Sequence, residues 1–199
     1  MGAINVKHTG AGADIALSSD GTSLLLDGTA IGGGGAALEL YAENPSNPTA
    51  PSATGTNAVA IGNGSKAHST DAIGLGNGSW ARGTTTFAVF GDAQPSSTAG
   101  VAIGLGTVSS AAAALALGRD SYALAASAIS LGKGRASGAA SFAAAITNNS
   151  ASYGASGANS VAIGQYSRAT AGGGISIGSA FSRADGSQSV AIGRNVHAT

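Results

Sequence analysis

Asn159-Ser160-Val161-Ala162-Ile163-Gly164-Gln165-Tyr166-Ser167 is the stretch that decides the fold. Its centre alternates large, small, large, the period-two signature of a strand, and the Gly and polar residues after it mark a turn. The kernel recurs upstream as Val59-Ala60-Ile61-Gly62, Ile73-Gly74-Leu75-Gly76, Val101-Ala102-Ile103-Gly104, Leu115-Ala116-Leu117-Gly118 and Ile129-Ser130-Leu131-Gly132. Downstream it recurs as Ile175-Ser176-Ile177-Gly178 and Val190-Ala191-Ile192-Gly193. Two degenerate copies, Ala88-Val89-Phe90-Gly91 and Phe142-Ala143-Ala144-Ala145, fill the gaps. The fourth positions then run 62, 76, 91, 104, 118, 132, 145, 164, 178, 193, with intervals of 14, 15, 13, 14, 14, 13, 19, 14 and 15. The interval of 19 implies about five extra residues, expected in the polar stretch Thr147 to Gly157.

A second mark keeps step with the first. Ala67, Ala81, Ala123, Ala169 and Ala198 each stand five residues after a fourth position, and Ala136 and Ala184 stand one early and one late. Each unit therefore reads as strand, turn, shorter strand, turn. Asn63-Gly64 and Asn77-Gly78 are strong turn dipeptides. A 14-residue unit with two strands is too short for a propeller blade and fits one coil of a parallel solenoid, in which each strand pairs with its equivalent one coil on. Ten coils at about 4.8 Å give a rod of roughly 48 Å.

Composition agrees with a chain that relies on repetition. Its 199 residues include 33 glycines, only 9% charged and 5% aromatic residues, and the apolar share is mostly alanine. Alanine buries little area, so a thin alanine core needs close backbone packing or partner subunits. Zero formal charge with nine Lys plus Arg leaves no basic stripe for nucleic acid. Without cysteine there is neither a disulfide nor a thiolate metal site. The segment Met1 to His8 has no signal-peptide pattern, and the run Ala111 to Leu117 is too short to span a bilayer, so membrane insertion is not expected.

Three regions follow. Residues 1–43 lack the repeat and read as a small N-terminal β module, with strands around Ile4 to Lys7, Asp14 to Leu17 and Ser23 to Leu26 and a hairpin turn at Asp20-Gly21. The segment Ala36 to Tyr41 is compatible with strand or helix. Residues 44–56, carrying Pro45, Pro48 and Pro51, read as a Pro-rich linker. Residues 57–199 are the repeat array. Within it, alternation places one set of side chains on each face. The large set, Val59, Ile61, Ile73, Leu75, Val101, Ile103, Leu115, Leu117, Ile129, Leu131, Val161, Ile163, Ile175, Ile177, Val190 and Ile192, is expected to fill the interior. The small set, Ala60, Gly74, Ala102, Ala116, Ser130, Ala162, Ser176 and Ala191, is expected to form a close subunit contact.

The segment Asn159 to Ser167, and with one change Asn57 to Ser65, resembles the repeat of YadA-like heads of trimeric autotransporter adhesins, which also occurs in phage fibres and head decorations. The resemblance covers about ten copies from Asn57 to Thr199. It implies an all-β, left-handed parallel β-roll, three of which pack around a three-fold axis as a homotrimer. The hand comes from the resemblance, since spacing does not fix it. A complete adhesin would add a signal peptide, stalk and membrane-anchoring barrel. With Met1 in place and no export signal, the expectation is a phage virion structural protein on the virion surface. Its N-terminal module would dock on a capsid or tail protein, and the roll would project toward a host-surface glycan or protein receptor. The alternatives are the excised head of a bacterial cell-surface adhesin and a polysaccharide depolymerase.

Catalytic chemistry is not evident in the residues. His8, His68 and His197 are scattered, which argues against a metal site. The seven Asp and two Glu offer no paired carboxylates, with Asp71, Asp92, Asp120 and Asp185 read at different phases of the repeat. The Gly-rich segment Ile31 to Ala36 lacks the spacing of a phosphate loop. No catalytic residue and no cofactor is assigned. One series carries a binding candidate: the residues just before the register alanines, Lys66, Trp80, Tyr122, Arg135, Arg168, Arg183 and His197. Stacked coils would align them as a surface contact stripe of aromatic and basic side chains, the types favoured at binding surfaces. A solvated edge that discourages aggregation uses the same residues.

Overall fold

The computed structural model describes residues 4–6, 15–19, 24–26, 29–31, 49–144, 150 and 152–199. The chain divides into two compact units, Met1–Ala42 and Glu43–Thr199. The first holds an antiparallel sheet in chain order, β1 (Ile4–Val6), β2 (Ile15–Ser19), β3 (Leu24–Leu26) and β4 (Thr29–Ile31). Registers Ile4↔Leu17, Leu17↔Leu26 and Leu26↔Thr29 define it. Three of these strands match those read from sequence; the fourth is additional. The Asp20-Gly21 turn, His8, the Gly run from Gly32 and the segment Ala36 to Tyr41 lie outside the described residues.

The second unit is a parallel solenoid. Ten three-residue strands, from Val59–Ile61 to Val190–Ile192, pair coil to coil in one sheet. Two-residue strands form the opposing side, Ser52–Ala53 to Trp80–Ala81 and then Gln94–Pro95 to His197–Ala198. Where these two ladders meet, Trp80 N donates to Ala93 O (2.9 Å) and Arg82 N to Pro95 O (3.0 Å). Pro95 has no N–H to return, and that missing donor interrupts the regular pattern. No helix occurs among the described residues.

The register changes one detail of the repeat. Phe87–Val89 pairs with Ile73–Leu75 and Val101–Ile103, so the third copy is Phe87-Ala88-Val89-Phe90 and its fourth position is Phe90, not Gly91. The intervals 15 and 13 on either side then become 14 and 14. Phe90 holds the left-handed backbone (φ 73°) that Gly76 and Gly104 hold in adjacent coils. The shift also brings Asp92 and Asp120 to the same phase, two coils apart with Gly106 between them, which corrects the sequence-based placement. The roll moreover begins inside the stretch read as linker, because Ser52–Ala53 pairs in parallel with Lys66–Ala67. Pro51 just precedes that strand at the ladder's edge, where a missing N–H costs little.

The two faces of the long sheet are the reverse of the sequence-based assignment. Gly74, Ala102, Ala116, Ser130, Ala162, Ser176 and Ala191 are buried within the single roll, and Ala60 is half-buried. They meet the inward alanines of the short strands, among them Ala67, Ala81, Ala123, Ala136, Ala169 and Ala184, all fully buried. The large residues point out: Val59, Ile61, Ile129, Val190 and Ile192 are exposed and the other eleven are half-buried. Space is the cause. A Cβ placed on Gly74 would lie 2.8 Å from Lys66 O and 3.0 Å from Ser65 Oγ, so even a methyl group is tight there. A cross-section closed by Ala, Ser, Thr and Gly has no room for Val or Ile. Interior hydroxyls are satisfied locally: Ser121 Oγ donates to Ser130 O (2.9 Å), and Ser176 Oγ to Ser182 O (2.9 Å). Coils also approach closely at Gly164 (φ 110°), where a Cβ would run into the carbonyl oxygen of Gly178.

Candidate functional site

The residues read from sequence as a contact stripe occupy the outward positions of the short strands, in two separate ladders. Lys66 stands opposite Trp80. Gln94, Val108, Tyr122 and Arg135 follow one another, as do Gly154, Arg168, Arg183 and His197. Gln94, Val108 and Gly154 belong to the row but carry neither a ring nor a charge, so they interrupt it chemically. Two clusters remain.

The first surrounds Trp80. Lys66 Nζ lies 4.7 Å and Arg82 Cζ 4.4 Å from its ring centroid, and the His68 ring meets it edge-on at 6.3 Å. Cations over the ring are attracted by its negative face. This tryptophan is therefore already capped by its own neighbours.

The second cluster joins rings and charges. The Tyr166 ring centroid is 5.1 Å from that of Tyr153 and 5.1 Å from that of Phe181, and its ring stacks nearly parallel to Phe181 (9°). Beside them Arg183 Nη2 donates to Asp185 Oδ2 (2.7 Å), and Arg168 Nε lies 3.3 Å from Asp185 Oδ1, an ion-pair distance without hydrogen-bond geometry. Thr170 Oγ1 donates to Asp185 Oδ1 (2.8 Å), and His197 Nε2 is 3.1 Å from Asp185 Oδ2. Burial acts to raise the Asp185 pKa, but the Thr170 hydroxyl and the Arg168 and Arg183 charges outweigh it, and the carboxyl titrates below the ordinary 3.8. Ser152, Tyr153, Tyr166, Arg168, Phe181 and Arg183 line a cleft of about 160 Å³.

Sequence reading found the arginines and His197 but missed all three rings and Asp185. The signal was present in the spacing. Phe181 is the extra residue of the 15-residue interval, and Tyr153 ends the long turn of the 19-residue interval. That turn, residues 145–153, holds nine residues where its equivalent 164–167 holds four, so the insertion falls before Gly154. Residues 145–149 and 151 within it lie outside the described residues. The cluster sets flat apolar ring faces beside guanidinium donors, with the Asp185 carboxylate held between the arginines and Thr170.

Three segments, residues 53–79, 155–180 and 180–195, match the YadA head domain repeat family. These segments carry YadA-type head repeats, and the repeat array as a whole is a parallel β-solenoid. They include Tyr166 and Phe181 but not Tyr153. No curated protein matches the chain.

Proposed function

We propose that this chain is the head of a trimeric, adhesin-like surface protein, whose three rolls pack their apolar outer faces around a common axis. The single observation that carries the reading is that face. Ten adjacent strands present Val, Ile, Leu or Phe outward without one charged interruption. Ten strands at about 4.8 Å, each about 10 Å wide at the surface, make a patch on the order of 500 Å², at the upper end of what monomers leave uncovered. YadA-like heads form homotrimers in general, and a heterologous contact repeated three times closes such a patch upon itself. The role is structural and adhesive, and no step of it needs a cofactor.

In this reading Met1–Ala42 is the attachment module and the roll is the presented part, on an outer surface. The repeats and the apolar face suit a bacterial cell surface and a virion fibre equally; neither favours the phage. The test is Ile163→Asp measured by sedimentation and circular dichroism. The wild type should sediment as a trimer, and the variant as a folded monomer, because the charge lands on an outer face and spares the interior. A wild-type chain that is a well-folded monomer at micromolar concentration refutes the reading.

A further inference from the structure

We infer that the cleft between Tyr166, Phe181 and the guanidiniums of Arg168 and Arg183 binds one acidic sugar unit of a surface polysaccharide. The inference rests on the adhesive reading and specifies its ligand. Three features converge on it. Consecutive coils each contribute one aromatic ring to the same edge of the roll, and the rings lie 5.1 Å apart. Phe181 stays 50% exposed, so ring surface remains open to a ligand. A sugar ring has an apolar C–H face that lies flat on such a surface, while its hydroxyls point away toward donors and acceptors.

The charge beside the rings selects an anion. Two guanidiniums share one carboxylate, Asp185. Together they hold about ten N–H donors against the roughly four acceptor positions of that one carboxylate, so donors remain for a second carboxylate. The cluster is net positive in a chain of zero formal charge. Nucleic acid is disfavoured by the same balance, because Gly154 separates Arg135 from Arg168 in the row and no basic stripe forms. A cleft of about 160 Å³ is below the usual range for a whole small-molecule ligand and suits one ring of a chain.

The third feature is that Tyr166 sits at the turn position where the regular coils carry Gly or Asp, as at Gly64, Gly78, Asp92, Gly106 and Asp120, while Tyr153 and Phe181 belong to lengthened turns. Tyr166 holds φ 56° where Gly64, Gly78, Gly106, Asp92 and Asp120 hold the left-handed backbone in other coils, and the inserted Phe181 holds φ 70°. Bulky residues are rarely tolerated there. The 19- and 15-residue intervals of the array also fall in this patch, and each delivers a ring. Packing of the roll demands none of this. Three copies per trimer would turn a weak single-unit contact into useful avidity on a polymer.

The experiment titrates the full chain, by calorimetry and by NMR of the aromatic resonances, with a hyaluronan hexasaccharide and with sialyllactose, using lactose as the uncharged control. At least one acidic probe should bind about tenfold or more tighter than lactose. Tyr166→Gly and Arg183→Gln should each weaken that binding by about tenfold or more, with trimer and melting temperature retained. Phe90→Gly, at an exposed left-handed aromatic outside the lining of the cleft, should leave binding unchanged. Absence of heat and of shift changes with both acidic probes up to ~10 mM overturns the inference, as does binding that is indifferent to Tyr166→Gly. If Tyr166→Gly dissociates the trimer, the rings are a subunit contact and the inference also falls. Wild-type adhesion that persists in Tyr166→Gly would leave the adhesive reading standing and remove only this site.

Discussion

The first six long strands start at residues 59, 73, 87, 101, 115 and 129, fourteen apart without exception. The last four start at 142, 161, 175 and 190, at intervals of 13, 19, 14 and 15. Yet the ladder runs through both halves in register, Phe142 opposite Ile129 and Val161 opposite Phe142. All the variation sits in one of the two turns. From short strand to next long strand there are always five residues, 68–72 in an early coil and 185–189 in the last complete one. From long strand to short strand there are four in the regular half but three, nine and five at 132–134, 145–153 and 178–182. Both turns are tied twice: the constant one within the coil, as Ala72 N to Ser69 O (3.2 Å), and to the previous coil, as Asp71 N to Thr56 O (2.8 Å), and the varying one in the same two ways, as Ser65 N to Gly62 O (3.0 Å) and Gly78 N to Asn63 O (2.9 Å). One turn of this roll is constant in length and the other varies, and the aromatic cleft is built on the varying one.

The largest effect that could break this picture concerns the interior, which both halves share. Ala116 is fully buried in a cross-section filled by small side chains. Ala116→Arg forces an unpaired charge and a large volume inward, at a cost on the order of 4 kcal/mol or more. We expect loss of the cooperative melting transition. Leu117→Arg, one residue on, points outward and should keep the strand signal in circular dichroism while dissociating the trimer. If Leu117→Arg unfolds the chain and Ala116→Arg does not, the faces are assigned the wrong way round.

Next in size is a comparison of turns. Inserting five Gly/Ser residues after Ala112, in the constant turn, breaks the bonds Ala113 N to Thr98 O (3.0 Å) and Ala114 N to Ala111 O (3.2 Å). At about 1 kcal/mol per backbone hydrogen bond plus strain, a loss of roughly 2–3 kcal/mol is expected. The same insert after Arg119, in the variable turn, breaks one such bond, Asp120 N to Leu105 O (2.9 Å), and should cost about 1 kcal/mol, because lengthening a surface loop is itself entropically cheap. Equal destabilisation, read from denaturant midpoints, would mean that the variable turn is constrained after all.

How much of this was legible in the sequence depends on which physical constraint wrote each feature. Period and coil were legible because strand pairing imposes a fixed repeat on Val161, Ile163 and their equivalents. The inside and outside of the sheet were not, because alternation distinguishes two faces without saying which is buried. The usual rule that large apolar residues go inside failed here: the interior is too narrow, and the large residues are left for the outer face. The row from Lys66 to His197 was legible through its alanines, but Gln94 was lost when Phe90 stood in a glycine's place and displaced the frame. Tyr153, Tyr166 and Phe181 were individually unremarkable turn residues. Only the coil-to-coil pairing brings them together, although the intervals of 19 and 15 already marked two of them.

The smallest expected effect is also local to the irregular half. Asp185 is 18% exposed, is held by Thr170, Arg168, Arg183 and His197, and titrates below the ordinary aspartate value. A carboxyl whose folded pKa is depressed stabilises the fold above its unfolded pKa, near 3.9. That contribution is lost as pH falls through the lower folded value. Asp185→Asn removes the charge at every pH and should therefore be less stable than wild type at neutral pH. The difference should stay constant down to about pH 5, shrink below the unfolded pKa and vanish below the folded one. Repeating the comparison with His197→Gln in both chains removes the imidazole from the titration. A gap that persists unchanged into strong acid would assign the difference to the shape and packing of the two side chains and not to the ion pairs that set the charge of the cleft, because neutral Asp and Asn both still accept the hydrogen bond from Thr170.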